Sequence, residues 1–148
     1  APFDKTMTLA VVCLANEMAG GADQLREAAL DYAKMRMQFG KPIASFQSMK
    51  HKQADMLIDA ELAKSAAYYA AAAADDNTDD LAMVASLAKA CASDAYLQMA
   101  IHAIQIRGGI GFTWDEDTHL WFKRAKSSEI MLGDATYHRE LMMQHLAS

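Results

Sequence analysis

The sequence predicts an all-α fold, an antiparallel four-helix bundle with a short C-terminal helix, and three observations predict it. Apolar residues recur at helical spacing through several long stretches of the chain. Glycine and proline are scarce, seven and two among 148 residues, which leaves too little turn chemistry for many short strands. Those few breakers, with one acidic run, stand where the periodic stretches stop, and helices joined by short connections pack as antiparallel neighbours.

The first helix is predicted over 5–37. Leu9, Val12, Cys13, Ala15, Met18, Ala22, Leu25, Ala29, Tyr32 and Ala33 keep its period, and Asp4 or Thr6 is available as N-cap. Gly20 and Gly21 fall inside it and imply either a close helix–helix approach, which is preferred, or a break into two helices. Gly40 and Pro42 end it in a turn. A second helix begins near Ser45 or Gln47 and runs through "MLIDAELAKSAAYYAAAAA" to 74, its alanines favouring both helix and tight packing. "DDNTDD" breaks it. The third helix covers 81–107 and stops at "GGIG". The acids of "TWDEDTH" suit the start of a fourth helix, whose buried face would be Leu120, Trp121, Ala125, Ser128 and Met131. Gly133 interrupts, and a final short helix follows with Asp134 or Thr136 as cap and Tyr137, Leu141, Met142 and Leu146 inward.

Composition removes several function classes. A net charge of −5 with scattered Lys and Arg gives nucleic acid no basic footprint. No stretch of eighteen apolar residues spans a membrane, and no signal peptide is visible, so a cytoplasmic location is expected. Cys13 and Cys91 lie far apart without metal-ligand spacing and read as a buried, reduced pair. The eleven methionines fall at core-facing spacings and read as core filler.

Motif by motif, most chemistry is unsupported. "DDNTDD" opens like a calcium loop, but Asp80 stands where the sharp turn needs Gly and Ser86 where a bidentate Glu is needed. His51, His102, His119, His138 and His145 include no pair four apart on one helix, so no metal site is expected. There is no G-x-S-x-G. "GGIG" ends a helix instead of following a strand, so it is no dinucleotide fingerprint; its glycines admit a close ligand or backbone, with Gln105 and Arg107 as nearby donors. "RMQFGKPIASFQ" gathers Arg36, Gln38, Phe39 and Gln47 around a helix end. On the residues alone this is either a solvated arginine beside a packed phenylalanine or a ligand site.

Together, "YAKMRMQFGKPIASFQ", "LAKACASDAYLQMAIHAIQIRGGIGF" and the spacing to "KRAKSSEIMLGD" resemble the C-terminal helical domain of the acyl-CoA dehydrogenase family over nearly the whole chain. The pieces R-x-x-F-G-K-P and Q-x-x-G-G-x-G, in that order, carry the resemblance. It implies a longer protein with an N-terminal helical domain and a middle β domain, assembled as a homo- or hetero-oligomer, usually a tetramer, with FAD in each active site. The reaction it implies removes the α proton and β hydride of an acyl-CoA thioester. Arg36, Gln38 and Phe39 would then reach the FAD of a neighbouring subunit, with Arg36 near the pyrophosphate. Gln47 would make another flavin-side contact, and Gln105, Gly108 and Gly109 would lie against the ADP half. Phe3 and Asp4 would border the acyl-CoA.

The resemblance also implies a missing group. The family's usual base is Glu in E-G-T, which falls here on Leu132, followed by Gly133 and Asp134. Members that carry the base in a D-K-x-R stretch near the first helix would carry it at Thr6, next to Met7. A leucine cannot take a proton, so the domain is expected to lack its own base, resembling the non-catalytic subunit of heteromeric acyl-CoA dehydrogenases. Other readings are a substitute carboxylate at Asp134 or Glu129, a helical oligomerisation or interaction module, and an acyl-CoA binder without flavin redox activity. The expected organisation is one domain over 1–148, excised from a longer chain and inactive alone.

Overall fold

The computed structural model describes residues 2–147 and is all-α apart from one small hairpin. Its elements are α1 (Pro2–Met35), β1 (Met37–Gln38), β2 (Lys41–Pro42), α2 (Gln47–Asp76), α3 (Leu81–Arg107), α4 (Thr118–Ile130) and α5 (Ala135–Leu146), with short 3-10 turns at Ile43–Ser45 and Gly108–Phe112. Helix α3 is the central element and packs against each of the other four helices.

The core is an alanine-lined seam. Ala15, Ala22, Ala29 and Ala33 of α1, Ala60, Ala63, Ala67 and Ala70 of α2, and Ala88, Ala92 and Ala103 of α3 are buried, so the backbones approach closely. Met18, Met56, Met99, Leu25 and Tyr96 fill the remaining volume. The long α1 is continuous through its glycine pair, and the close approach falls on one of the two. A Cβ on Gly21 would stand 2.6 Å from the Tyr96 ring, whereas a Cβ on Gly20 would meet nothing within 4 Å.

Several expectations need correction. Helix α1 starts at Pro2 and ends at Met35, so Asp4 and Thr6 lie inside it instead of capping it; the Thr6 hydroxyl donates back to the Pro2 carbonyl at 3.0 Å. The turn after α1 is a hairpin, closed by Ile43 N donating to Arg36 O at 2.8 Å, with Met37 opposite Pro42. Both tip residues have positive φ, 52° at Phe39 and 75° at Gly40, as a two-residue primed turn requires. Helix α2 runs two residues past 74 and is stopped by Asn77 in the left-handed conformation, φ 50°.

In α4 the inward face is Thr118, His119, Ala125 and Ser128, while Leu120 and Met131 are exposed. In α5 the inward residues are Ala135 and His138; Leu141 and Met142 are half-buried, and Tyr137 and Leu146 face outward. The apolar pattern gave the wrong register there because a histidine with buried partners outcompetes a tyrosine for the inward position. Cys13 is exposed and Cys91 half-buried, so they are no buried pair. Nor are the methionines uniformly core filler: Met7, Met35, Met37, Met131 and Met143 are exposed.

Candidate functional site

Two concavities gather the residues singled out by sequence. The first, a cleft of about 440 Å³, lies between the hairpin and the C-terminal end of α3, and its walls include Tyr32, Arg36, Gln38, Phe39, Phe46, Met49, Arg107 and Gly108. Thus Arg36, Gln38 and Phe39 from one motif meet Gly108 from the other, seventy residues away in sequence. Gln47, Gln105 and Gly109 stand outside this lining: Gln47 Nε2 is 3.4 Å from His51 Nε2, and Gln105 Oε1 accepts from Lys52 Nζ at 2.9 Å.

The hairpin displays its aromatic residue at a conformational cost. A left-handed phenylalanine is uncommon and costs about 1–2 kcal/mol, yet the Phe39 side chain is 90% exposed, making only an edge contact with Phe46 at 6.2 Å. The surrounding turn holds it: Lys41 Nζ lies 4.4 Å above the Phe46 ring, and Gly40 absorbs the second positive φ. Gly108 has φ 67° and ψ −143°, which only glycine adopts readily, and open space lies where its Cβ would be.

Arg107, noted in the sequence only as a nearby donor, is anchored beneath the cleft with its side chain 9% exposed. Its Nε donates to Glu116 Oε2 at 3.2 Å and Nη2 to the Ala28 carbonyl at 3.3 Å, its plane lies 5.4 Å from the Tyr32 ring centre, and Nη1 is buried without a partner.

The second concavity, about 410 Å³, lies between the start of α1, α3 and α5, and its walls include Asp4, Met7, Val11, Ser86, Leu132, Tyr137, His138, Leu141 and His145. Leu132 and Met7, two of the positions altered with respect to the resemblance, therefore face one space, while Thr6, another, is outside the lining. Phe3 is outside this lining and exposed.

The turn carrying Leu132 is tightly specified. Leu132 has φ 61° and Gly133 φ 103°, and a Cβ on Gly133 would be 2.4 Å from the Tyr137 ring. Two buried polar side chains pin it, each bonded in turn to a buried serine. Lys89 on α3, fully buried, donates to Ser93 Oγ at 3.0 Å, Glu129 O at 3.0 Å and Gly133 O at 2.8 Å. His138 Nε2 lies 3.0 Å from the Leu132 carbonyl, and Nδ1 lies 3.2 Å from Ser86 Oγ. A carbonyl only accepts, so the proton sits on Nε2, and in the neutral ring Nδ1 accepts from the serine hydroxyl. Burial lowers the His138 pKa, reinforced by the Lys89 charge. Burial lowers that of Lys89 as well, opposed by Glu129 and Asp134.

The two carboxylates proposed as substitutes are engaged elsewhere. Asp134 caps α5, accepting from Tyr137 N at 2.8 Å, and Glu129 pairs with Lys126 at 2.5 Å. Among the described residues, the cavity lining includes neither. Lys89, Ser86 and His138 were not foreseen as site residues; a lysine and a histidine at inward positions of otherwise apolar helices were the available signal. Among the described residues no group of His, Cys, Asp and Glu is arranged to hold a metal ion, and no helix is long and apolar enough to cross a membrane.

The family description "Acyl-CoA dehydrogenase, C-terminal domain" matches residues 3–147. Acyl-CoA dehydrogenase FadE34 of Mycobacterium tuberculosis is 45% identical over 131 residues, covering 88% of this chain and 18% of that protein. Acyl-CoA dehydrogenase IpdE2 of the same organism is 38% identical over 123 residues, covering 83% of this chain and 37% of that protein. The solved butyryl-CoA dehydrogenase of Megasphaera elsdenii superposes with a TM-score of 0.92 at 29% identity, over 97% of this chain and 37% of that one. The chain thus spans well under half the length of these relatives.

Proposed function

The chain belongs to the acyl-CoA dehydrogenase family as its C-terminal domain, and from that premise we propose that it completes the FAD site of an acyl-CoA-oxidising oligomer while supplying no proton-abstracting carboxylate of its own. The observation that carries this reading is Leu132, held on a pinned left-handed turn and lining an open concavity, at the position where the resemblance puts the family's base.

The first cleft fits the flavin cofactor chemically. It offers a guanidinium for a pyrophosphate, a displayed aromatic ring, and a positive-φ glycine that lets backbone come close. Arg36, Gln38, Phe39 and Gly108 would hold FAD from within it, and Gln47, Gln105 and Gly109 from its margins. Phe39 and Arg36 are exposed, in keeping with the contact to a neighbouring subunit's flavin that the resemblance implies for them. When bound, FAD supplies a hydride acceptor for the β carbon of the thioester. An oligomer is also supported by the outer face of α2, where Leu57, Ile58, Leu62, Tyr68 and Tyr69 are exposed in a stripe larger than a solitary surface residue needs to explain.

Abstracting the α proton requires a positioned carboxylate. Position 132 has none, Asp134 and Glu129 are committed to local bonds, and misplacement by even about 1 Å costs on the order of 10²-fold in rate. The domain therefore acts as the non-catalytic partner in a mixed, cytoplasmic tetramer. Its concavity would border acyl-CoA through Asp4, with the exposed Phe3, outside the lining, as the second residue the resemblance assigns to the substrate.

Two variants of the full-length assembled protein test this. Arg36→Ala is expected to lower flavin content; unchanged flavin would favour a helical interaction module and sink the cofactor assignment. Leu132→Glu is expected to confer acyl-CoA-dependent flavin reduction, since a placed general base contributes about 10²–10⁴-fold. Retained flavin with no gain would remove Leu132 as the vacated base position.

A further inference from the structure

Beside the proposed cofactor cleft, α2 packs against α3. Ser48 and Met49 line the cleft, and Lys52 lies one turn further along α2 on the face of Met49. On the facing helix, Arg107 and Gly108 line the cleft, and Gln105 and His102 follow back along α3. Lys52 is the half-buried residue that joins the two helices here: its Nζ donates to Gln105 Oε1 at 2.9 Å and stands 3.2 Å from His102 Nδ1.

An ammonium has three donors and no acceptor, so both contacts have a fixed sense. His102 Nδ1 must be the bare nitrogen, which agrees with a histidine whose pKa is lowered by burial and by the Lys52 charge. Gln105 must turn its carbonyl oxygen toward Lys52, because the reversed amide would set NH2 against NH3⁺. The Gln105 NH2 is thereby directed away from Lys52 on an exposed residue, as a donor with a defined orientation. Gln105 also contacts the His102 side chain, and without the lysine no cation fixes which end of its amide is the acceptor.

The electrostatics favour an anionic ligand at this spot. The chain carries a net charge of −5, yet Arg36 and Arg107 line the cleft and Lys52 stands one turn along α2 from its wall residue Met49. Glu116 is bonded to Arg107, and Asp55 and Asp59 act on His102 from further along α2.

We infer that Lys52 is a positioning residue of the FAD site, holding Gln105 as a hydrogen-bond donor toward the ADP half of the cofactor and placing a positive charge beside it. This rests on the assignment of the cleft to FAD made above.

The test uses the full-length assembled protein, stripped of flavin and titrated with FAD at low and high salt. Lys52→Met, which loses both orientation and charge, is expected to weaken FAD binding by about tenfold, the usual effect of losing one charge-assisted bond. It is also expected to reduce the salt dependence of binding, because an exposed charge contribution is screened. Lys52→Gln keeps a donor to Gln105 Oε1 but no charge, so it should fall between parent and Lys52→Met with the same reduced salt dependence. Lys52→Arg should stay near-parental. Should Lys52→Met fail to fold, the Gln and Arg variants carry the comparison. Equal weakening in all three variants, tracking lost thermal stability, would mean a purely structural lysine and overturn the inference. Parental affinity in Lys52→Met, with Arg36→Ala weakened, would overturn it while leaving the FAD reading standing; parental affinity in both would remove that reading too.

Discussion

Replacing Lys89 by Met tests whether the Leu132 turn is held by a buried cation. The side chains have similar reach, so packing changes little, but three hydrogen bonds vanish: those to Ser93 Oγ, Glu129 O and Gly133 O. The two carbonyls belong to the last turn of α4 and to the link into α5, and each buried carbonyl left without this partner costs about 1–3 kcal/mol. Against that gross loss of about 2–6 kcal/mol stands relief from burying an ammonium, itself several kcal/mol. Because all three acceptors lie within 3.0 Å, the bonding side should win and leave a net loss of about 2–3 kcal/mol. For a unit of this size that lowers Tm by roughly 4–12 °C. Thermal melting supplies the first measurement, and faster amide exchange in residues 131–135 would locate the effect. A variant as stable as the parent, or more so, would refute the reasoning, since the desolvation cost of Lys89 would then exceed the worth of its bonds.

The adjacent glycines of α1 should respond oppositely. Gly20→Ala, with nothing near the new methyl, should stabilise by up to about 1 kcal/mol through helix propensity, whereas Gly21→Ala meets the Tyr96 ring and should destabilise by about 1–3 kcal/mol. Equal denaturation midpoints for the two would contradict the close approach. Stability should also depend on pH below neutrality. His138 and His102 have folded-state pKa values held below 6.5 by burial, so the unfolded chain takes up protons that the folded one refuses. Their contribution is full above 6.5 and is lost as pH falls from there through the folded-state values. A His138→Gln variant should show a shallower fall in Tm over that window, and an unaltered slope would count against a neutral, buried His138.

Helix ends were readable because they depend on residues that act locally. Gly108 closed α3 and Asn77, within the acidic run, closed α2, whereas α1 stopped at Met35, short of Gly40 and Pro42, which belong to the hairpin. The hairpin escaped notice since its strands have two residues each and its tip puts a phenylalanine in a conformation usually left to Gly or Asn. The α5 register was misread for a different reason. What draws His138 inward is Ser86, fifty-two residues earlier, together with the Leu132 carbonyl, and no local apolar pattern records such partners. Lys89 is the same case, a charge buried because main-chain oxygens from a later turn meet it. For the candidate site, the residue types were visible in two motifs, but it takes the packing of α1 and α2 on α3 to bring Arg36, Gln38 and Phe39 to one cleft with Gly108 and to add Arg107 beneath them.

The central claim is that this domain serves a flavin site without supplying the base. Flavin absorbance should be followed while full-length protein, alone and then mixed with candidate partner subunits, receives a panel of acyl-CoA thioesters. The account predicts bleaching only when a partner is present. Bleaching by the lone protein, abolished by Asp134→Asn or Glu129→Gln, would contradict it and place a working carboxylate on the turn that Leu132 occupies.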